Sequence, residues 1–222
     1  LHLSLRRQRQ MCIRDRLIRH GETEWNALGK FQGSRDIDLS NEGIKQAEFL
    51  KKRLKKNFDY IYSSPLKRAL KTAKIISEDT DLNPIICPEL REIDFGEWEG
   101  LTTKDIKNNY PELFKKWLMD DTTGPLCGGD HSLKEASIRA TDAVLKIVTE
   151  NKDKNIAVVA HGGIIKAALI GIFNWNMSMY HRIRLGNTSI SKLYFDDDMF
   201  PLILGLNDTS HLPEDYNMRS RV

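Results

Sequence analysis

The sequence predicts an α/β fold: a three-layer α/β/α sandwich around a mostly parallel sheet, with a helical cap inserted. Three observations point there. Short apolar or β-branched runs alternate with amphipathic stretches of helical period, the pattern of strands joined by crossover helices. The clearest run, NIAVVAH (Asn155 to His161), is apolar without alternation, as a parallel strand covered on both faces must be. The stretch from about 94 to 135 breaks the rhythm, which reads as a cap over one end of the sheet.

Taken in order, the chain opens with LHLSLRRQRQMCIRDR. This segment lacks the apolar region and small-residue cleavage site of a signal peptide. It resembles the translation of a sequencing adapter fused in frame, and residues 1–16 read as a non-native extension. Only Leu17 and Ile18 precede Arg19 in the first strand, so its native apolar start is expected to be missing. A helix is expected from Asn41 to Lys56, capped by Ser40, with Ile44, Ala47, Leu50 and Leu54 on its buried face. DYIYSS (Asp59 to Ser64) reads as a strand, and Ser64-Pro65 as the cap and first position of the next helix. IICPEL is a short strand, LREIDFGEWEG a glycine-punctuated loop, and 102–120 a helix interrupted near Pro111, with Leu113, Trp117 and Leu118 apolar. Ser132 begins a long helix to about Glu150. After NIAVVAH and another helix come two terminal strands, SISKLYFD and FPLILGLND, with Asp196 to Asp198 as the turn between them. The domain is expected over 17–212, with 213–222 as a tail.

Charge and composition exclude several functions. The formal net charge is +3 over 222 residues, but residues 1–16 hold five arginines against one acid. The remaining 206 residues therefore sum to about −1, which is no nucleic-acid footprint. No apolar run reaches the ~20 residues of a membrane span; the longest, Gly162 to Trp175, carries Lys166 and reads as a buried helix. Three widely spaced cysteines, Cys12, Cys87 and Cys127, form neither a disulfide framework nor a zinc signature. They suggest reduced thiols and a cytoplasmic location.

Two strands end alike, LIRHG at 17–21 and VVAHGG at 158–163. In open α/β sheets ligands bind at the carboxyl ends of strands, so both histidines are placed at the ligand edge. The glycines permit a tight turn, and the helix opening after His161 offers N–H donors and a dipole that suit an anion. Zinc is a poor fit: no short-range ligand pair exists, and Arg19 beside His20 would repel a cation. Arginine argues for an anion held by a bidentate fork. Arg68 falls in the first turn of a helix that starts at the same edge, yet its neighbour Lys67 is equally basic, so spacing alone does not choose. Likewise Glu92, Asp94, Glu97 and Glu99 all offer a carboxylate, and composition does not select one.

LIRHGETEWNALGKFQG, SSPLKRALKTA, LREIDFGEWEG and VVAHGG occur in that order from Leu17, and with them the chain resembles the histidine phosphatase superfamily, of phosphoglycerate mutase-like fold, to about Leu212. The resemblance implies that His20 is the nucleophile that takes the phosphoryl group. It places Arg19, Arg68 and His161 in the rest of the phosphate pocket, Asn26 as an added donor and Glu92 as the proton donor. Gly21, Glu22, Thr23, Gln32, Gly33 and Gly162 join the implied substrate-binding set. It implies metal-independent phosphomonoester hydrolysis through a phosphohistidine, without a cofactor, on a small phosphorylated metabolite. Neither nucleic acid nor membrane is an implied partner, and the chain is expected as a monomer or homodimer. REIDFGEWEGLTTKDI looks like the short phosphatase form and makes α-ribazole 5′-phosphate a candidate substrate. The rivals are a phosphoglycerate mutase, an isomerase needing a bisphosphate primer, and a non-catalytic phospholigand module. One departure is CGGDHS at 127–132, where many relatives read Gly-Gly-Glu-Ser or similar; Asp130 is expected to replace the glutamate, with His131 an unusual neighbour to the pocket.

Overall fold

The computed structural model describes residues 15–213 and 216. Six strands form one sheet: β1 (Asp15–Arg19), β2 (Tyr60–Ser63), β3 (Ile85–Ile86), β4 (Ile156–Ala160), β5 (Ile190–Phe195) and β6 (Pro201–Asp208). Their order is β3-β2-β4-β1-β5-β6. β1 to β4 run parallel, and β5 and β6 close the sheet as an antiparallel hairpin. Asp196 Oδ1 accepts from the N–H groups of Asp198 and Phe200, so the acidic run is indeed the hairpin turn.

Among the described residues seven helices flank this sheet: α1 (Glu24–Ala27), α2 (Asn41–Leu54), α3 (Lys67–Ser77), α4 (Thr103–Asn109), α5 (Pro111–Met119), α6 (Leu133–Glu150) and α7 (Gly162–Ile172). Successive strand residues point to opposite faces. Leu17 and Val158 enter the core shared with α6 and α7, while Ile18 and Val159 enter the one shared with α2 and α3. That alternation makes the three layers. In register, Arg19 pairs with Ala160, so the two His-Gly corners leave the sheet side by side.

Several boundaries differ from expectation for local reasons. α2 ends at Leu54 because Lys55 turns left-handed, at φ 46°. Ile44 is only half-buried, and Gly43 and Gln46 join Ala47, Leu50 and Leu54 on the buried face. Ser64 does not cap the next helix. α3 starts at Lys67 after Leu66, with no side-chain cap, and Ser64 Oγ bonds a histidine instead. β1 takes in Asp15 and Arg16, which pair with Leu193 and Lys192. A strand ladder is made by backbone groups, so it tolerates these charged residues. Residues 1–14, and Cys12 with them, lie outside the described residues.

The region from 94 to 135 folds as α4, α5 and connecting turns. Tyr110 ends α4 and Pro111 opens α5, where a missing N–H costs nothing. Trp98, Phe114 and Trp117 bury their rings in the core beneath α6 and α7. Trp98 and Trp117 meet edge-on with centroids 5.3 Å apart. Leu118, read as apolar face, is exposed. No helix among the described residues is long and apolar enough to cross a membrane.

Candidate active site

A cleft of about 490 Å³ opens at the carboxyl ends of β1 and β4. It is lined by nine of the predicted site residues: Arg19, His20, Glu22, Asn26, Gln32, Gly33, Arg68, Glu92 and Gly162.

His20 is almost fully buried, and its Nδ1 lies 2.6 Å from the carbonyl of Gly21. A carbonyl only accepts, so Nδ1 carries the proton and Nε2 keeps its lone pair. Burial, with Arg68 and Arg19 adding to it, holds the imidazole well below the usual histidine range. His20 is therefore a neutral imidazole with a defined tautomer, the form a nucleophile needs.

His161 sits behind it, ring centroids 5.1 Å apart, with no exposed surface. Arg68 Nε donates to its Nδ1 at 3.1 Å, and its Nε2 lies 2.7 Å from Ser64 Oγ. Nε2 therefore carries the proton, and both ring nitrogens are already engaged. The resemblance places His161 in the phosphate pocket; in this structure it lies against the His20 ring, accepts from Arg68 and does not itself line the cleft. An imidazole whose Nδ1 accepts from a guanidinium also has no lone pair for a metal.

Arg68 is 1% exposed and is braced on three sides, by His161 and by the carbonyls of Arg35 and Gly33. Burial pushes its guanidinium down to about 10, with the Glu92 carboxylate opposing. Arg19 donates from Nη1 to Leu185 O at 2.6 Å, while its buried Nε has no partner. Such an orphaned donor normally costs on the order of 1–3 kcal/mol, which an incoming anion would relieve.

Of the four acids in LREIDFGEWEG, Glu92 alone lines the cleft. Its oxygens accept from the N–H groups of Ile93, Gly163 and Ile164 at 2.7–3.0 Å. The N–H donors at the start of α7, expected to meet the ligand, thus hold this carboxylate. The other acids serve the frame. Asp94 accepts from Gly96 N, Glu97 from Tyr110 Oη, and Glu99 from Ser34 N beside an ion pair with Arg35. Asp130 joins them by accepting from Asp94 N and pairing with Arg139, so it braces the loop that carries Glu92.

The chain also matches a known family over almost its whole length. The model of the histidine phosphatase superfamily, branch 1, matches residues 16–209. This chain belongs to that superfamily. It is 34% identical to phosphoserine phosphatase 1 of Hydrogenobacter thermophilus, over 90% of this chain and 94% of the relative. Among solved structures, a mutant phosphoserine phosphatase from Entamoeba histolytica in complex with phosphoserine superposes with a TM-score of 0.84 at 38% identity, covering 90% of this chain and all of that one. The α-ribazole phosphatase of Shigella flexneri gives 0.77 at 28%, covering 89% and 97%. The chain is a phosphatase of the histidine phosphatase type.

Within this phosphatase fold, three predicted site residues stand outside the cleft. Gly21 packs against Gly43, where a Cβ would strike the Gly43 carbonyl, and its N–H donates to Thr72 Oγ1. Thr23 is fully buried as the cap of α1. His161 is the third, described above. His131 is exposed and does not line the cleft. Conversely, Lys30, Lys166, His181, Arg184 and Asn187 line it without having been singled out. Lys166 left one trace in the sequence: a lone lysine on an apolar helix, four residues after Gly162 and so on the same face. Burial pushes its ammonium down to about 8, and it lies 3.8 Å from the Tyr180 ring centroid.

Proposed function

We propose that this phosphatase hydrolyses a small phosphomonoester without metal, through a phosphohistidine on His20. One observation carries the reading. The lone pair of His20 Nε2 is free at a cleft that also holds the buried guanidinium of Arg68 and the half-buried one of Arg19, whose buried Nε–H has no partner. Arg19, Arg68 and the Asn26 amide hold the phosphoryl oxygens, where the transition state gathers charge. His20 Nε2 attacks phosphorus in line, and the P–O bond to the leaving alcohol breaks. Glu92 gives its proton to that alkoxide, then takes one from the water that cleaves the P–N bond.

The substrate we favour carries a second anionic group near the ester, phosphoserine being the simplest case. Lys30, Lys166, His181 and Arg184 line the same cleft as the phosphate-binding arginines. The phosphoserine phosphatases among the relatives support this choice. α-Ribazole 5′-phosphate is the second reading, supported by Phe31 and Phe95, which offer the cleft an aromatic wall. The test is phosphate release in EDTA from phosphoserine, 3-phosphoglycerate, α-ribazole 5′-phosphate and p-nitrophenyl phosphate. Release that His20→Ala abolishes, fastest with phosphoserine, is expected. Full activity in His20→Ala would sink the mechanism. Primer-dependent isomerisation of 3-phosphoglycerate without release would replace it with a mutase.

A further inference from the structure

Asn187 has no role in the chemistry above, yet it touches its two most exacting parts. It sits in the loop before β5, at the cleft wall, 9% exposed. Its Nδ2 donates to the His20 carbonyl and to Asn26 Oδ1, both at 3.2 Å. The carbonyl accepts only, so the amide nitrogen of Asn187 is fixed on that side. Asn26 Oδ1 also receives the Thr23 N–H at 3.2 Å. The Thr23 hydroxyl lies at the same distance, so with its oxygen held by these donors Asn26 has only its NH₂ to offer a ligand.

The loop is held in a conformation its sequence resists. Thr188, β-branched and fully buried, has φ +55°. Such a residue in the left-handed region costs on the order of 1–3 kcal/mol and persists only where its surroundings impose it. Here they do. Thr188 N–H donates to His20 O at 3.2 Å, and its hydroxyl donates to Asn187 O at 2.7 Å. That uses the only hydroxyl proton. The 3.0 Å contact with His211 Nε2 is therefore one that Thr188 Oγ1 accepts.

We propose that Asn187 is a positioning residue of this phosphatase. It fixes the Asn26 amide so that N–H, and not the carbonyl oxygen, faces the phosphoryl group, and Thr188 and His211 hold it there. Without Asn187 the Asn26 oxygen loses its donor from the β5 loop, and the Thr23 cap alone is left to hold the amide against an anion. The inference rests on the phosphatase reading above.

A double-mutant cycle tests it, with vanadate as the probe and phosphate release followed in parallel. Asn187→Ala and Asn26→Ala are each expected to weaken vanadate inhibition about tenfold, as one lost hydrogen bond to an anion does. The double variant should be no weaker than the worse single one, because both act through one amide. Effects that multiply to about a hundredfold mean independent sites and overturn the proposal, as does unchanged inhibition in Asn187→Ala. If Asn187→Ala does not fold, the far end of the chain of bonds serves. His211→Gln can place an N–H where Nε2–H stood and should keep wild-type inhibition, whereas His211→Leu should lose it. Equal inhibition in these two variants overturns the proposal. A wild-type protein that hydrolyses its substrate while the cycle is additive refutes Asn187 alone. One that neither hydrolyses nor binds vanadate refutes the phosphatase reading as well.

Discussion

Asp15 is a carboxyl on a central strand, buried, with neither oxygen bonded. Burial pushes its pKa from 3.8 to about 7, against a smaller opposing pull from Arg16. A carboxyl whose folded value is raised favours folding when protonated. Its contribution is intact below about 4 and is lost as pH rises toward 7. At ~1.4 kcal/mol per pH unit the loss approaches ~4 kcal/mol. Asp15→Leu should therefore be more stable than the parent at pH 8, with the gap closing by pH 4.5 in urea titrations. A gap independent of pH would show that the carboxyl is not the cause. At Glu92 the expected loss in kcat for Glu92→Gln is about 10²–10³ on phosphoserine, within the range for a general acid. The loss should be smaller on p-nitrophenyl phosphate, whose leaving group needs little protonation. Equal losses on the two esters would mean that Glu92 does not protonate the leaving group.

The first turn of α7 is where element and chemistry meet. Its free N–H groups and dipole would bind any anion, and the chain has supplied one of its own in Glu92. Gly163 makes room for it: a Cβ there would lie 2.6 Å from Glu92 Oε1 and 2.9 Å from the Tyr180 hydroxyl. Gly163→Ala is expected to push the carboxylate off the helix terminus and to lower kcat about as far as Glu92→Gln, with circular dichroism unchanged. Wild-type kcat in that variant would mean the carboxylate can shift without consequence. The sequence showed the glycines and the helix start but not what would occupy them. Which acid reaches a helix terminus some 70 residues away depends on how the intervening loop is braced, here by Asp130 and Arg139.

At the scale of the molecule, the segment from 94 to 135 is tied to the sheet through one shared aromatic core. Trp117 contacts Trp98, Phe114, Tyr180 and Phe31, and Phe31 also lines the cleft. Trp117→Ala should cost about 3–5 kcal/mol. Because this segment and the sheet share that core, far-ultraviolet dichroism and tryptophan fluorescence should still report one coincident unfolding transition in urea. Two separated transitions would show that the segment folds on its own.

The sequence by itself determined the layers and the edge at which the site lies. Period-2 and period-3.6 patterns record which faces are buried, and parallel strands must deliver their carboxyl ends to one side. It also pointed to an anion there, since Arg19 stands beside His20 at a strand end. Only the tertiary structure decided their roles. Gly21, Thr23 and His161 look like ligands by position in their motifs, and the structure adds contacts the motifs do not show: Gly21 packs on Gly43, Thr23 caps α1 and His161 accepts from Arg68. Lys166 and Asn187 look like helix and loop filler, yet they face the cleft. The physical reason is the same in each case. A hydrogen bond is set by direction and by the other partners competing for the same atom, and those partners come from segments far apart in the chain.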